Sequence, residues 1–447
     1  MKPLLFPLLA AGALLAGPAT AQGVALTPGE TFVVASDLLD AGRAAEAGLM
    51  AEALVERDPT DVPALILRAE TAVASGDFET ARLSALSAWE QAEVDAARYA
   101  SARLVALAET ERGRYTPAQF WLRRARQYAP TVEAEEQVAE DYDVVRRLNP
   151  FSFSLDFTIA PSDNINNGSS NDTIVLPGLP FVFLLSGESQ PLAGTEFTLG
   201  GGARYRIRQT QRTLTYLQAQ GYVRTYRLSD EAKEIAPGAE GSDYAEQQIA
   251  VGIGHAWLPE GQRNPWRFSL MQGRFWYGGE PWSDFTRATV DRRVTLDEDD
   301  RLDFSLTAER LIGHETPDSD TYGLRAGWTH AFEDRGALTL YLKAREVTSE
   351  GFDRAYEARG GGIGWQFEGS GIEVLYDYEA REYERSAFTF GTREDDRHNL
   401  RLSVPVPGVE FYGFQPVVTA ERSRTESNIS RYETDTTGAG VSFRSAF

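Results

Sequence analysis

Two hydrophobic periods follow one another along this chain. From about Thr27 to Leu148 apolar residues recur at helical spacing, as at Leu38, Leu39, Leu49, Ala53 and Leu54, the pattern of an amphipathic helix. From Phe151 the period drops to two. Phe151, Phe153, Leu155, Phe157 and Ile159 alternate with Ser152, Ser154, Asp156 and Thr158, which suits a strand with lipid on one face and a polar interior on the other. The pattern predicts an α+β chain in two domains, an N-terminal α-helical tetratricopeptide-like solenoid and a C-terminal antiparallel transmembrane β-barrel.

The helical part repeats itself. Gly42-Arg43-Ala44 leads to Ala47 and Pro59; Gly76-Asp77-Phe78, 34 residues on, leads to Ala81; Gly113-Arg114-Tyr115 leads to Ala118, Ala125 and Pro130. A 34-residue period is that of the tetratricopeptide helix pair. In such a unit the Gly opens the turn, the Ala lets the helices approach, and the Pro ends the second helix.

The alternating part divides into fourteen segments, from Phe151–Ile159 to Gly438–Phe447, an even number as bacterial single-chain barrels require. Trp266–Tyr277 and Phe285–Leu296 alternate poorly. If the chain enters from the helical side, the odd connections should be long and the even ones tight. Pro161–Glu196 and Arg227–Tyr244 are long, whereas Gln209–Arg212 and Glu368–Gly371 are short. Phe447 places an aromatic at the end of the last segment, resembling the signal read by barrel-assembly machinery. Inward positions include Arg204, Arg206, Arg208, Arg224, Arg325, Lys343 and Arg345, so the lumen should be polar and partly basic. These are candidate contacts for a passenger; paired with lumen carboxylates such as Asp156, Glu373 and Asp377, they would simply fill the barrel.

Residues 1–21 read as a signal peptide, with Lys2, an apolar Leu4–Leu15 and a small-residue Ala19-Thr20-Ala21 site. Residues 22–148 are then expected as a periplasmic tetratricopeptide-like domain and 149–447 as an outer-membrane β-barrel, with Asn149-Pro150 at the boundary. Outer-membrane lipid would surround the barrel. The formal charge of −22 argues against nucleic acid as a partner.

Candidate chemistry is sparse. There is no cysteine, and four histidines, His255, His314, His330 and His398, lack metal-ligand spacing. No catalytic, metal or cofactor site is expected, and the chain does not read as an enzyme. The run Gly360-Gly361-Gly362-Ile363-Gly364 lies in a strand pattern with no helix after it, so it fits close packing of a side chain across the wall better than a phosphate loop. Asp163-Asn164-Ile165-Asn166-Asn167-Gly168 lacks a calcium loop's third ligand and final Glu and reads as a turn-rich loop entry. The apolar run Phe181-Val182-Phe183-Leu184-Leu185 is expected to be covered, because exposed apolar surface is a liability.

The ordered combination of signal peptide, tetratricopeptide units, Asn149-Pro150-Phe151 and then Asp163-Asn164-Ile165-Asn166 resembles the surface lipoprotein assembly modifier family, called Slam. The resemblance implies a fourteen-stranded outer-membrane translocon of type XI secretion. Its periplasmic helical domain would engage a client or its chaperone, and the client, a lipoprotein or soluble protein, would reach the cell surface. Polysaccharide export with a helical docking domain and a passive porin are the alternatives.

Overall fold

A computed structural model describes residues 25–175, 180–351, 354–386, 391–409, 411–412 and 414–445. The expected signal peptide and Phe447 lie outside the described residues. Among the described residues seven helices precede the strands: α1 (Pro28–Asp40), α2 (Ala44–Arg57), α3 (Val62–Ala74), α4 (Phe78–Gln91), α5 (Asp95–Glu111), α6 (Tyr115–Gln127) and α7 (Val132–Leu148). Thr27 and Glu30 form a capping box on α1, and the side chains of Asp61, Asp77 and Thr131 accept backbone N–H groups at the starts of α3, α4 and α7. Each cap satisfies a donor that the helix itself leaves orphaned.

Gly42, Gly76 and Gly113 all sit at positive φ, 75°, 77° and 73°, the left-handed conformation in which glycine carries no steric penalty. Ala47, Ala81, Ala118 and Ala125 are fully buried. The repeat residues therefore hold the turn and contact positions that their spacing predicts. The chain packs as two compact units, residues 1–113 and 114–447, so α6 and α7 belong with the strands. Helix gives way to strand at Asn149-Pro150, but the packing boundary falls at Gly113.

Fourteen strands close into one antiparallel barrel: β1 (Phe151–Ser162), β4 (Gly194–Gln209), β5 (Thr213–Leu228), β6 (Glu246–Trp257), β7 (Trp266–Tyr277), β8 (Glu280–Thr295), β9 (Asp300–Gly313), β10 (Ser319–Phe332), β11 (Gly336–Ser349), β12 (Tyr356–Phe367), β13 (Glu373–Tyr383), β14 (Arg393–Pro405), β15 (Phe414–Ser427) and β16 (Thr434–Ser445). Each coincides with a segment read from the alternation. A two-stranded ribbon, β2 (Thr173–Val175) with β3 (Val182–Leu184), lies outside the barrel in the first long connection. The first three connections alternate as expected and the later ones only in part: β7 and β8 are joined by Gly278-Gly279 alone, and the even connection 406–413 is longer than the odd connection 428–433. The rim at which β1 begins is called here the helix-side rim; the long connections occupy the far rim.

The outward positions carry the apolar band. Phe153, Leu155, Leu199, Leu217, Val251, Leu270, Leu306, Leu324, Leu342 and Leu400 are all exposed, which in water would be a liability and in lipid is the expected state. Aromatic residues gather near the helix-side ends, where Trp365 stacks on Phe332 at 5.3 Å and Trp328 donates to Asp300 at 2.7 Å. Toward the far rim the outward face turns ionic, with Arg274 on Asp284 at 2.6 Å, Arg310 on Asp320 at 2.7 Å and Arg422 on Asp435 at 2.8 Å. Strands of 11 to 16 residues exceed the roughly 9–11 that span hydrocarbon, so these pairs stand clear of it. The poor alternation of β7 and β8 has its cause here. Arg274 faces out, Met271 and Phe285 face in and pack with Ala250, and a bulge interrupts the register at Phe275/Trp276.

Candidate lumen site

The residues that carry the family resemblance sit at the two ends of β1. Asn149, mostly buried, donates to Thr116 Oγ1 (3.1 Å) and Gln119 Oε1 (2.7 Å) on α6 and accepts from the Phe151 N–H (3.0 Å). The Pro150 carbonyl accepts from Arg206 N at 2.7 Å. This joint fastens α6 and α7 to the barrel at the helix-side rim. It is reinforced where Arg123 donates to the Tyr142 hydroxyl (3.0 Å) and lies 5.0 Å from the Phe414 ring, and where Gln127 accepts from Tyr412 N (3.0 Å).

At the other end of β1, Asp163 accepts from Thr437 N (2.7 Å), so the loop entry is tied to β16. Asn164 exchanges hydrogen bonds with Gly168, donating at 3.0 Å and accepting at 2.7 Å. Asn166 donates to the Glu188 and Gln190 carbonyls and accepts from Leu192 N. The side chains are committed to folding the loop, and among the described residues no group of acids and histidines forms a metal cage. Ile165 and Leu192 pack with Leu228, Ala232 and Ala236. The apolar run beyond does not follow the expectation that it is covered: Phe181, Val182, Phe183 and Leu184 are exposed, while Ile174 of the facing strand is buried. A two-stranded ribbon has too few positions to bury both of its faces.

The basic candidates separate into different roles. Arg224 faces the lumen between Glu196 (3.5 Å) and Glu246 (3.2 Å). Arg204 lies 5.4 Å from the Tyr216 ring. Arg206 donates to the carbonyls of Arg147 and Leu148, both at 2.9 Å, which closes the C-terminal end of α7. It is a rim latch and not a passenger contact. Arg208 does not share the face of Arg204. A bulge shifts the register between Arg206 and Arg208, setting Arg208 opposite Thr215. Thr215 pairs across to His255 and Phe268, the latter exposed on the outer wall, so Arg208 turns outward at the rim.

Arg325, Lys343 and Arg345 do converge, on the β10–β11 wall. Lys343 bridges Asp377 (2.7 Å) and Glu379 (2.9 Å); Arg345 approaches Glu379 (3.6 Å) and donates to the Tyr356 hydroxyl (3.2 Å); Arg381 holds Glu379 from its own strand at 2.5 Å. Of the three carboxylates proposed as lumen partners, Asp377 is in this network; no ion pair is seen at Asp156 or Glu373 among the described residues. The Tyr341 ring crosses Gly362, where a Cβ would stand 2.5 Å from ring atoms, and its hydroxyl donates to Asp377. The glycine run thus admits a side chain across the wall, as its strand context predicted. Arg325 lies 3.8 Å over that ring, and among the described residues it has no carboxylate partner.

These groups line a recess of about 1020 Å³ open to the lumen. The inward faces of β7 to β11 are asymmetric in charge. β7 and β8 contribute Arg267, Arg287 and Arg293, β9 contributes Arg301, and β10 and β11 contribute Arg325, Lys343 and Arg345. The carboxylates on those faces are Asp291, Asp303 and Glu309, of which Glu309 pairs with Arg287 (2.6 Å) and Asp303 with Arg293 (2.7 Å). Sequence reasoning had missed Tyr341, Glu379, Arg381 and the buried Arg393–Asp395 pair (2.5 Å) near the far rim. The inward glycines of β12 were the available signal for Tyr341, since a gap in one strand calls for a long side chain on its neighbour.

No family model matches the chain, and no curated protein matches it. Among solved structures, the helical part is similar to the type III secretion translocator chaperone SycD of Yersinia enterocolitica, at 15% identity and a TM-score of 0.25 over 27% of this chain and 83% of that one. The barrel is similar to OprD of Pseudomonas aeruginosa, at 9% identity and a TM-score of 0.33 over 65% and 94% of the two chains. A BenF-like porin of Pseudomonas fluorescens Pf-5 gives 9% identity and 0.36 over 66% and 98%. Likenesses at this level carry no assignment, and the barrel rests on its own strand register.

Proposed function

We propose that this chain is an outer-membrane conduit that delivers a lipoprotein or soluble protein client to the cell surface, with its helical domain engaging the client or a chaperone in the periplasm. The observation that carries the reading is the joint at Asn149-Pro150-Phe151. It builds the last two helices into the same compact unit as the barrel, as suits a receptor coupled to a pore and not a tethered spacer. A closed barrel with an ionic lumen wall and an apolar outer band supplies the pore. The resemblance of the Asn-Pro-aromatic start and the Asp-Asn-x-Asn loop entry to the Slam family supplies the client class. The barrel-assembly machinery would insert the chain in the membrane.

The basic wall of β7 to β11 favours a second reading, export of an acidic polysaccharide. One experiment separates the two. The gene is deleted, and labelling of surface proteins in intact cells is compared with staining of the polysaccharide coat. Loss of one or more surface proteins with an intact coat is the expected result; an unchanged surface proteome with a missing coat would overturn the client reading. Crosslinking of the full-length chain in cells, followed by identification of the captured periplasmic protein, then names the client.

A further inference from the structure

The β10–β11 recess is more than a filled lumen wall. Its lining carries five cations, Arg287, Arg325, Lys343, Arg345 and Arg354, against the carboxylates of Glu309, Asp377 and Glu379. Among the described residues that leaves two positive charges in surplus, in a chain whose formal charge is −22. The surplus is local and walled, which concentrates its field on whatever enters. Among the described residues Arg325 has no protein anion to satisfy it. Its guanidinium is held over Tyr341 at 3.8 Å, and Tyr341 is itself fixed by its passage over Gly362 and its bond to Asp377. A planar fork of donors on a rigid platform is arranged to receive two oxygens of one anionic group. Lys343 and Arg345 flank it, and the hydroxyls of residues such as Ser305 and Thr307 complete the lining.

We propose that this recess is a binding site for a small polyvalent oxyanion, with Arg325 as its anchor. The shared chemistry is a pair of negative charges on carboxylate or phosphate oxygens, from an organic acid or from free phosphate. The recess volume of about 1020 Å³ lies at the upper end of the few hundred to ~1,000 Å³ typical of small-molecule sites, which is room for a whole small anion. The site rests on the closed lumen and on no protein client. Its failure would leave the export reading as it stands, and the reverse holds too.

The test uses full-length protein folded in detergent micelles and titrated calorimetrically at low ionic strength with sodium citrate, with sodium phosphate and with sodium chloride. Citrate is expected to bind saturably and chloride not. Arg325→Gln should weaken citrate binding by at least about tenfold, the scale of one lost charge-assisted contact. Arg204→Gln, on β4 across the ring, should leave it within about twofold. Arg345→Gln, whose parent side chain sits at the edge of the Glu379 cluster, provides a second variant with a smaller expected loss if the first does not fold. Saturation by citrate alone identifies an organic acid; equal saturation by phosphate identifies free oxyanion. Absence of saturable heat with both anions overturns the proposal, as does a folded Arg325→Gln protein that binds as tightly as the parent.

Discussion

Asn149 offers the sharpest test of how the helices are fastened to the barrel. Its side chain makes three hydrogen bonds, two donated to Thr116 and Gln119 and one accepted from the Phe151 N–H, in a setting where the residue is 8% exposed. In Asn149→Ala all three vanish. Two neutral bonds are worth about 1 kcal/mol each, and a backbone N–H left without a partner in a half-buried site adds roughly another 1 kcal/mol or more, for a total of about 3 kcal/mol. A tenfold change corresponds to about 1.4 kcal/mol, so α6 and α7 should open on the order of 100-fold more often. Hydrogen exchange of the folded full-length protein in detergent reads this directly. Amides of α6 and α7 should exchange faster, while those of β10 and β11 stay as they were. Asn149→Asp keeps the acceptor for the Phe151 N–H but loses both donations, to Thr116 and to Gln119, with only the Thr116 hydroxyl free to turn and donate to the new carboxylate, so it should fall between the parent and the alanine variant. Equal protection of α6 and α7 in the parent and Asn149→Ala would refute the assignment of Asn149 as the joint.

Two further outcomes follow from local geometry. In Gly362→Val a Cβ must occupy space within 2.5 Å of the Tyr341 ring; overpacking of this kind costs about 1–3 kcal/mol, and thermal melting of the barrel should move down, with no such change in Gly323→Ala, where an added Cβ meets nothing closer than 3.9 Å. The second concerns pH. Hydrogen bonds from the Thr80 side chain and then its backbone N–H hold the Asp77 carboxyl below its ordinary 3.8, and backbone and side-chain bonds from Thr27 likewise lower Glu30. A depressed folded pKa stabilises above the unfolded value and is lost as pH falls through the folded one. Helical ellipticity of the full-length chain should therefore hold down to about pH 4 and melt more easily below it, and Asp77→Ala, which removes a cap worth about 1 kcal/mol, should flatten that acid limb.

Much of the barrel was legible in the residues because a strand between lipid and lumen has no freedom in its pattern. β1 shows this best, with five apolar residues outward and four polar ones inward. The same logic failed where the wall departs from it. Arg208 was read as inward because alternation was carried through a bulge that no residue type announces; the register shift at Arg206/Arg208 is visible only in the pairing. Exposure of Phe181 to Leu184 is unfavourable and predicts cover, yet among the described residues the connection that carries them supplies no second layer to bury them. The lumen cations could be named from parity, but their partners could not. Lys343 meets Asp377 and Glu379 across β12, 34 and 36 residues away in sequence, a relation fixed by strand register and not by spacing.

That reach across β12 also distributes stiffness around the ring. Tyr341 passes over Gly362 and Lys343 over Gly360, where its Cε lies 3.1 Å from the position a Cβ would take, and both end on acids of β13. Three consecutive strands are thus tied by side chains as well as by their ladders, and pulling them apart breaks the Lys343 ion pairs and the Tyr341–Asp377 hydrogen bond together. The junction of β1 with β16 is built otherwise. β1 pairs with β4 along its whole length from Phe151 to Ser162, but with β16, among the described residues, only at Thr158–Ser442, Ile159–Val441 and Ser162–Gly438. Glycines flank that junction, Gly200 to Gly202 on one side and Gly438 and Gly440 on the other, and glycine contributes no side chain to hold neighbouring strands together. β1 lies across the ring from β10. Among the described residues the seam with the fewest paired positions is therefore β1 with β16, and it faces the wall where Tyr341 and Lys343 cross β12 to the acids of β13.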